Sequence, residues 1–368
     1  MFKYQFKRLY VKHFLAILII LAVLFLGKFV TVKFFYKEKP LAGREKELFD
    51  SHVEATIGKS TDEKLEYFYT QKAPLDKKLE EYTSKDEKPD DSFYEELNAL
   101  TDYSTKLFSN VYKINGVEKY SITGEGLVSP FVPEDFYYNM EAYTDIDEAD
   151  VINDDHFVLF VTLQSYNIVP IFVLLIVGLF VADSFEKRVD LQASISKNRK
   201  SFFVSQEVVL CMFVGVLVVV NMLVDLAVSG LLTHSYELYA TINSVERYWA
   251  IPTDMRIYQM IILFLVVEMM GAFICYHIFR ISAQAVRSTK KYMVCGLSVI
   301  VLTTLVSSVM PKHAIYFFTG ITNKGNVING IKYIPKIHST NLFIPLIVGV
   351  VLTASLAVYR FVKFKKVR

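Results

Sequence analysis

The strongest constraint on how this chain folds is a set of six apolar runs, each long enough to cross a lipid bilayer. Bilayer hydrocarbon is about 30 Å thick, so a spanning helix needs roughly 20 predominantly apolar residues. The runs are continuously apolar rather than alternating, which favours helices over a transmembrane barrel. A mean hydropathy of +0.33 and a hydrophobic content of 53% exclude an ordinary soluble protein. The predicted spans are 14–32, 157–182, 202–232, 257–279, 292–310 and 342–362.

Lysine and arginine are distributed unevenly over the segments between these runs, and this bias predicts the orientation of the chain. The two termini and segments 181–204 and 280–291 together carry 18 of these residues, whereas the short loops 234–256 and 311–340 carry 6. We therefore expect a multi-pass protein of the plasma membrane with both termini in the cytosol. The first run is 19 residues long and no small-residue cleavage site follows it, so we expect an uncleaved span.

The segment 37–156 is polar and acidic, with 29 Asp and Glu against 14 Lys and Arg. Its 120 residues are enough for a small domain, and the charge bias places that domain outside the cell. The acidity either serves solubility and orientation or attracts a cationic substrate. The domain boundaries are thus 1–36 for the cytosolic N-terminus and first span, 37–156 for an extracellular domain, and 157–368 for a five-helix membrane domain.

Helical spacing of aromatic and aliphatic residues predicts helices in the first part of the extracellular domain. Asp91 or Ser92 is predicted to cap the last of these helices. The stretch after Asn115 is rich in Gly, Pro and β-branched residues, which predicts loops and leaves a hairpin open. The fold class is therefore an α-helical integral membrane protein with six transmembrane helices and a mainly helical extracellular domain, in which α+β content stays open.

The sequence contains no motif that predicts an enzyme. The stretch "IGKST" is similar to part of a phosphate-binding loop, but Val53 stands where that loop requires its first glycine. The three cysteines (Cys211, Cys275 and Cys295) lie in predicted spans, at spacings that do not support a metal site. We expect no catalytic residue, no metal and no cofactor in this chain.

Glu268 is the most informative ionisable residue because it lies near the middle of the span 257–279. Gly271 and Ala272 follow it by three and four residues, so all three share one helix face, where small residues let another helix approach. Glu268 is therefore predicted to face a helix interface or an internal cavity rather than lipid. Hydrogen-bonded packing, lining of a translocation path and proton coupling remain open as its role.

Three further polar residues lie in the run 202–232. Asn221 is deep in the run and is expected to need a partner on another helix. Glu207 and Asp225 lie nearer its ends, where their side chains are expected to reach an interface. Pro170 interrupts the run 157–182 and is predicted to kink its helix.

The segment "DSFEKRVDLQASISKNRKSFFV" joins the second and third runs and carries five cations. Acidic Glu186 and Asp190 are mixed among them, which suits docking to a protein better than docking to anionic lipid. Serine and asparagine near its centre predict a turn after a helical extension of the second span to about Ala193.

The order of these features resembles the ABC-2 type permeases, the membrane subunits of ATP-binding cassette exporters. A first span leads into a large external domain, the second span ends in a charged cytosolic segment, and four more spans follow. In that family the charged segment holds a coupling helix that seats in a groove of the ATPase. The resemblance assigns this role to Glu186, Lys187, Arg188, Asp190, Ser196, Arg199 and Lys200.

The resemblance also implies partners and an activity. An ABC ATP-binding subunit would hold ATP and Mg, a second permease chain would complete a homodimer or heterodimer, and the membrane lipid would surround both. The pair would export an amphipathic, peptide or lipid-like substrate, and no nucleic acid is implied. The lysine-rich, glycine-poor composition favours a Gram-positive bacterial membrane. An FtsX-like permease that transmits mechanical force and a non-transporting sensor or immunity protein are the alternative functions.

Overall fold

A computed structural model describes most of the chain outside the first span, the charged segment and the last loop. The described residues are 25–30, 32–34, 41–120, 150–163, 168–182, 199–245, 255–286, 288–309 and 350–359, with isolated positions at 3, 6, 7, 19, 22, 23, 184 and 347. The loops and hairpin expected after Asn115 lie mostly outside these residues, but the prediction was wrong for 115–120, where a helix continues to Tyr120. The loop 311–340 lies wholly outside them.

The described residues are mostly helical and contain no strand, only an isolated bridge between Thr241 and Arg256. They divide into two compact units. The polar unit consists of Lys37–Leu159 and Ser229–Met260, and the apolar unit consists of Met1–Tyr36, Phe160–Val228 and Ile261–Arg368.

The described part of the polar unit is built mainly on α1 (Gly43–Thr56), α2 (Thr61–Lys85) and α3 (Asp91–Tyr120). Both α1 and α2 pack on α3. A short helix, α4 (Asp155–Leu163), begins at the end of this unit. The core of the unit is aromatic and aliphatic, and it contains Phe49, Phe68, Leu75, Phe93, Leu100, Tyr103, Leu107 and Val151.

The stretch "IGKST" is the turn between α1 and α2 and the start of α2. Ser60 caps α2, because its hydroxyl accepts a hydrogen bond from the Glu63 amide while the Glu63 carboxylate accepts one from the Ser60 amide at 2.8 Å. This capping box satisfies two of the free amides at the helix start. The cap predicted for α3 was wrong by one residue or more. Asp90 is the cap, because its side chain accepts a hydrogen bond from the Phe93 amide at 2.8 Å.

Within its described residues, the apolar unit contains helices that overlap five of the six predicted spans, some of them only in part. They are α5 (Val169–Val177, extended by a π-helical turn over Gly178–Ala182), α6 (Arg199–Thr233), α7 (Ile257–Val286), α8 (Thr289–Val309) and α9 (Val350–Tyr359). Among the described residues, α6, α7 and α8 are long and apolar enough to cross a membrane. These three helices indicate a membrane protein.

The helix α6 has an arrangement of side chains that is inverted relative to a soluble protein. Its exposed face is a continuous apolar stripe at helical spacing, formed by Val204, Val208, Met212, Val216, Val219 and Leu223. The polar residues Asn221 and Asp225 lie on the opposite, buried face with Val214 and Val218. An apolar exterior and a polar interior suit a helix surrounded by lipid.

The predicted second span differs in detail from the structure. Pro170 stands in the first turn of α5, where its missing amide removes no hydrogen bond of the helix. In the described part of the run 157–182, Pro170 therefore stands at the start of α5 and not in the middle of a helix.

Close packing between α8 and α5 depends on a glycine. A methyl group on Gly296 would lie 2.1 Å from Cδ1 of Leu174, a fully buried side chain. Gly215 in α6 has room instead, since its nearest neighbour would be the Met269 sulfur at 3.8 Å.

We expect Gly296→Ala to lower the free energy of unfolding by about 1–3 kcal/mol relative to Gly215→Ala, because overpacking forces α8 away from α5. Both substitutions gain the same helix propensity, so their difference isolates the steric effect. Thermal unfolding of the purified protein in lipid nanodiscs measures it, and equal midpoints for the two variants would contradict the packing described here.

Candidate functional site

A buried network of four polar side chains joins three helical segments of the apolar unit. The Lys28 ammonium donates to Oδ1 of Asn221 at 2.7 Å and forms an ion pair with Asp225. Nδ2 of Asn221 donates to Oε1 of Glu268 at 2.8 Å. We call these four residues the intramembrane network.

The intramembrane network is almost completely removed from solvent. Relative exposure is 4% for Lys28, 2% for Asn221, 0% for Asp225 and 1% for Glu268. Charged groups in an apolar helix bundle cost several kcal/mol unless they are paired and hydrogen-bonded. The burial is tolerated here because the ammonium and the carboxylate are in direct contact.

The helices place these side chains by their own geometry. Asn221 and Asp225 are four residues apart on α6, so their side chains lie one above the other on the same face. Glu268 comes from the middle of α7, and Lys28 comes from the helical residues 25–30. Lys28 and Asp225 therefore contact each other although they are 197 positions apart in the sequence.

The structure brings together some of the residues that the sequence indicated. Glu268 is buried, as are Gly271 and Ala272 on its helix face, and Asn221 has the partners on other helices that its depth required. The expectation that Asp225 reaches an interface was wrong, because its side chain is fully buried against Lys28.

Lys28 was missed by the sequence analysis. It lies four residues before the end of the predicted first span, where a lysine is commonly taken as a flanking charge. The predicted spans contain one lysine, Lys28, and several carboxyl side chains. Because charges inside a membrane pair with one another, this combination could have indicated Lys28 as a partner.

A second polar cluster links α6 and α7 near the opposite end of the same helix pair. Arg280 donates from Nε to Glu207 at 3.0 Å and from Nη2 to Gln206 at 2.9 Å. The Tyr276 hydroxyl donates to the other carboxylate oxygen of Glu207 at 2.6 Å. This cluster clamps the two helices at a second level, 14 residues from Asn221 along α6.

The position of Arg280 changes one expectation. The segment 280–291 was predicted to be a cytosolic connection, but Arg280 is 2% exposed and lies within α7. Its guanidinium holds the helix pair together and is not presented at the surface. Glu207 is partly exposed, which agrees with its predicted place near a helix end.

The charged segment that the resemblance assigned to ATPase coupling is largely outside the described residues. Glu186, Lys187, Arg188, Asp190 and Ser196 all lie there. Only the backbone of Arg199 and Lys200 is described, and these two residues begin α6.

The polar unit contains a buried histidine with unusual surroundings. Neither ring nitrogen of His156 has a hydrogen-bond partner, and the ring lies 4.9 Å from the ring of Tyr236. A side chain at Gly230 would collide with Tyr236, so this tyrosine is held between the Gly230 backbone and His156. Burial lowers the pKa of the His156 imidazole to about 4.

The described residues include no group of three His, Cys, Asp or Glu side chains that could hold a metal ion. Cys211, Cys275 and Cys295 are free thiols. Comparison with protein-family models, with curated proteins and with solved structures finds no match to this chain.

We expect Asp225→Asn to lower the free energy of unfolding by about 3–5 kcal/mol, because it leaves the Lys28 ammonium buried without its counter-charge. Replacing both partners, with Lys28→Met and Asp225→Leu, should recover most of this loss. Asp76→Asn is the control, since Asp76 pairs with Lys72 at an exposed position and should cost less than about 1 kcal/mol. Thermal unfolding in nanodiscs measures all three, and an effect of Asp225→Asn as small as that of the control would exclude a tightly coupled pair.

We expect acidification to weaken the protein through His156. Its folded-state pKa lies below the ordinary value of 6.5, so the unfolded state binds a proton first as the pH falls. Between pH 6.5 and about 4 this costs about 3 kcal/mol of stability, with no further loss below that window. His156→Phe removes the titration, so the variant should lose less stability than the wild type between pH 7 and pH 4 in thermal unfolding. An equal loss of stability in the two proteins between pH 7 and pH 4 would contradict this role of His156.

Proposed function

We propose that this chain is the transmembrane permease subunit of an ATP-binding cassette exporter. In this proposal it has six spans, both termini are cytosolic, and segment 37–156 forms an extracellular domain. A separate polypeptide binds and hydrolyses ATP, and two permease chains form the path for an amphipathic, peptide or lipid-like substrate.

The observation that carries the transport part of the proposal is the intramembrane network. A lysine, an aspartate and a glutamate lie buried among helices whose exposed faces are apolar. Intramembrane ionisable residues are costly and commonly mark substrate paths or moving helix contacts. A membrane anchor for a sensor domain requires only apolar spans, so three buried ionisable residues favour a transporter over that alternative.

Two levels of polar contact join the same helix pair, and this also supports a moving element. The intramembrane network and the Arg280–Glu207 cluster both bridge α6 and α7. Between them the two helices are close at Gly215, where a methyl group would lie 3.8 Å from the Met269 sulfur. Breaking either polar contact would let the helix pair open at that end, which suits a moving element of a transporter.

The coupling part of the proposal rests on the sequence. The segment that contains Arg188 and Arg199 follows the second run and carries mixed charge. Its last residues form the start of α6. The charge bias of the loops predicts that it lies in the cytosol. Movement of this segment would act directly on α6, the helix that carries Asn221 and Asp225.

We expect this chain to co-purify with an ABC ATP-binding subunit and to stimulate its ATP hydrolysis. Reversing the charge at Arg188 and Arg199 together should abolish the stimulation without loss of expression, because the docking contact is removed. Lys72→Glu, a charge reversal at an exposed site in the polar unit, is the matched control and should leave hydrolysis unchanged.

Two results would count against the proposal. Full stimulation by the charge-reversed protein would remove the docking assignment. A chain that never associates with an ATPase, and whose Lys197 is labelled from the outer surface of intact cells, would remove the transporter assignment and return the sensor or immunity protein as the better function.

A further inference from the structure

We propose that Asn221 and Asp225 form a binding site for a primary ammonium group of the transported substrate, and that Lys28 occupies this site in the conformation described here. The statement that the ammonium belongs to a transported substrate rests on the proposed function. The site itself is defined by contacts within the apolar unit.

The chemistry of the site is read from its present occupant. The ammonium of Lys28 is a primary amine, and it contacts one amide oxygen and one carboxylate on adjacent turns of α6. A primary ammonium has three N–H donors and no acceptor, so each of the two oxygens can accept one of its hydrogen bonds. A substrate amine would meet the same oxygens in the same geometry.

Glu268 determines which end of the Asn221 amide faces the cation. An asparagine side chain has one donor end and one acceptor end, and in a dry interior it needs both ends satisfied. The Glu268 carboxyl accepts from Nδ2 of Asn221, which turns Oδ1 towards the ammonium. Glu268 is therefore a positioning residue for the site.

The location and charge of the network agree with a cationic ligand. Asp225 supplies the carboxylate that contacts the ammonium, and Asn221 adds an amide oxygen, so the two α6 side chains suit a positively charged ligand. The acidic segment 37–156, with 29 Asp and Glu against 14 Lys and Arg, would raise the local concentration of cations next to the membrane.

Lys28 acts in this arrangement as a tethered ligand. A substrate amine that enters must displace the lysine, and its apparent affinity is reduced by the fraction of time that Lys28 fills the site. Self-occupation keeps two charges neutralised while no substrate is bound. Displacement would free the N-terminal helical residues 25–30 from α6, which links ligand binding to a helix contact.

The test uses n-hexylammonium as the probe and the full chain in lipid nanodiscs, with empty nanodiscs subtracted. Lys28→Met empties the site, so we expect it to bind tritiated hexylammonium at least about tenfold more tightly than the wild type. The combination of Lys28→Met with Asp225→Asn should lose this gain. n-Hexyltrimethylammonium, which has the charge but no N–H donor, and n-hexanol should not bind above the nanodisc background.

Glu268→Gln in the Lys28→Met background tests the positioning role. A glutamine offers both a donor and an acceptor, so it no longer fixes the Asn221 amide. We expect weaker hexylammonium binding and a smaller preference over the trimethylated probe, whereas a residue that only supports packing would leave that preference unchanged.

The matched control is Lys64→Met, which removes a buried lysine that pairs with Asp150 at 3.6 Å in the polar unit. It should bind the probe as the wild type does. If Lys28→Met does not fold alone, folding that is rescued by hexylammonium and not by the trimethylated probe gives the same result. If hexylammonium does not rescue the folding of Lys28→Met, the variant Lys28→Gln is used in the binding assay instead, because glutamine keeps a hydrogen-bond donor to Asp225.

Each failure has its own signature. Equal binding of hexylammonium by the wild type and the Lys28 variants, or equal binding of both cationic probes, overturns the ammonium site and leaves the network as a helix clamp. Amine binding in a chain that has no ATPase partner keeps the site and removes the exporter. Stimulated ATP hydrolysis with no amine binding keeps the exporter and removes the site.

Discussion

The contact between Lys28 and Asp225 is the interaction on which the rest of the apolar unit depends. Each charge alone would be costly in an interior formed by valine, leucine and phenylalanine, and each is tolerated because the other is within hydrogen-bond distance. The pair fixes the N-terminal helical residues against α6. Asn221 then extends the contact to Glu268 on α7, so three segments that are distant in the sequence share one point of attachment.

This constraint also accounts for the inverted amphipathicity of α6. Its outer stripe can be uniformly apolar because lipid demands no hydrogen bonds, and its inner face can carry an amide and a carboxylate because partners on neighbouring segments satisfy them. The second cluster, around Arg280 and Glu207, applies the same rule nearer the end of the helix pair. Polar contacts at two levels therefore tie α6 to α7.

The polar unit follows the ordinary rules of a water-soluble helical domain. Its three helices bury an aromatic core, and their ends are closed by side chains such as Ser60 and Asp90. The stretch "IGKST" shows why short motifs need structural context. The lysine and serine that are similar to a nucleotide-binding loop belong to a turn and a helix cap, and the serine oxygen is already used by a backbone amide.

The sequence by itself determined where the long apolar helices lie, since α6, α7 and α8 begin and end within a few residues of three predicted spans, apart from the extension of α7 to Val286. The length of an apolar run is a local property, so it can be read directly from the sequence. It also marked Glu268 and Asn221 as interior, because a polar residue deep in a span must find a partner inside the protein.

Only the tertiary structure decided what those partners are. Lys28 and Asp225 each look like a residue near a helix end, and nothing local distinguishes a lysine that reaches the interface from one that turns inward. Their contact joins positions 197 residues apart, so it depends on which faces of which helices meet. That choice is made by packing and by the cost of leaving a charge alone in an apolar interior, and both act on the assembled helices rather than on any one stretch of chain.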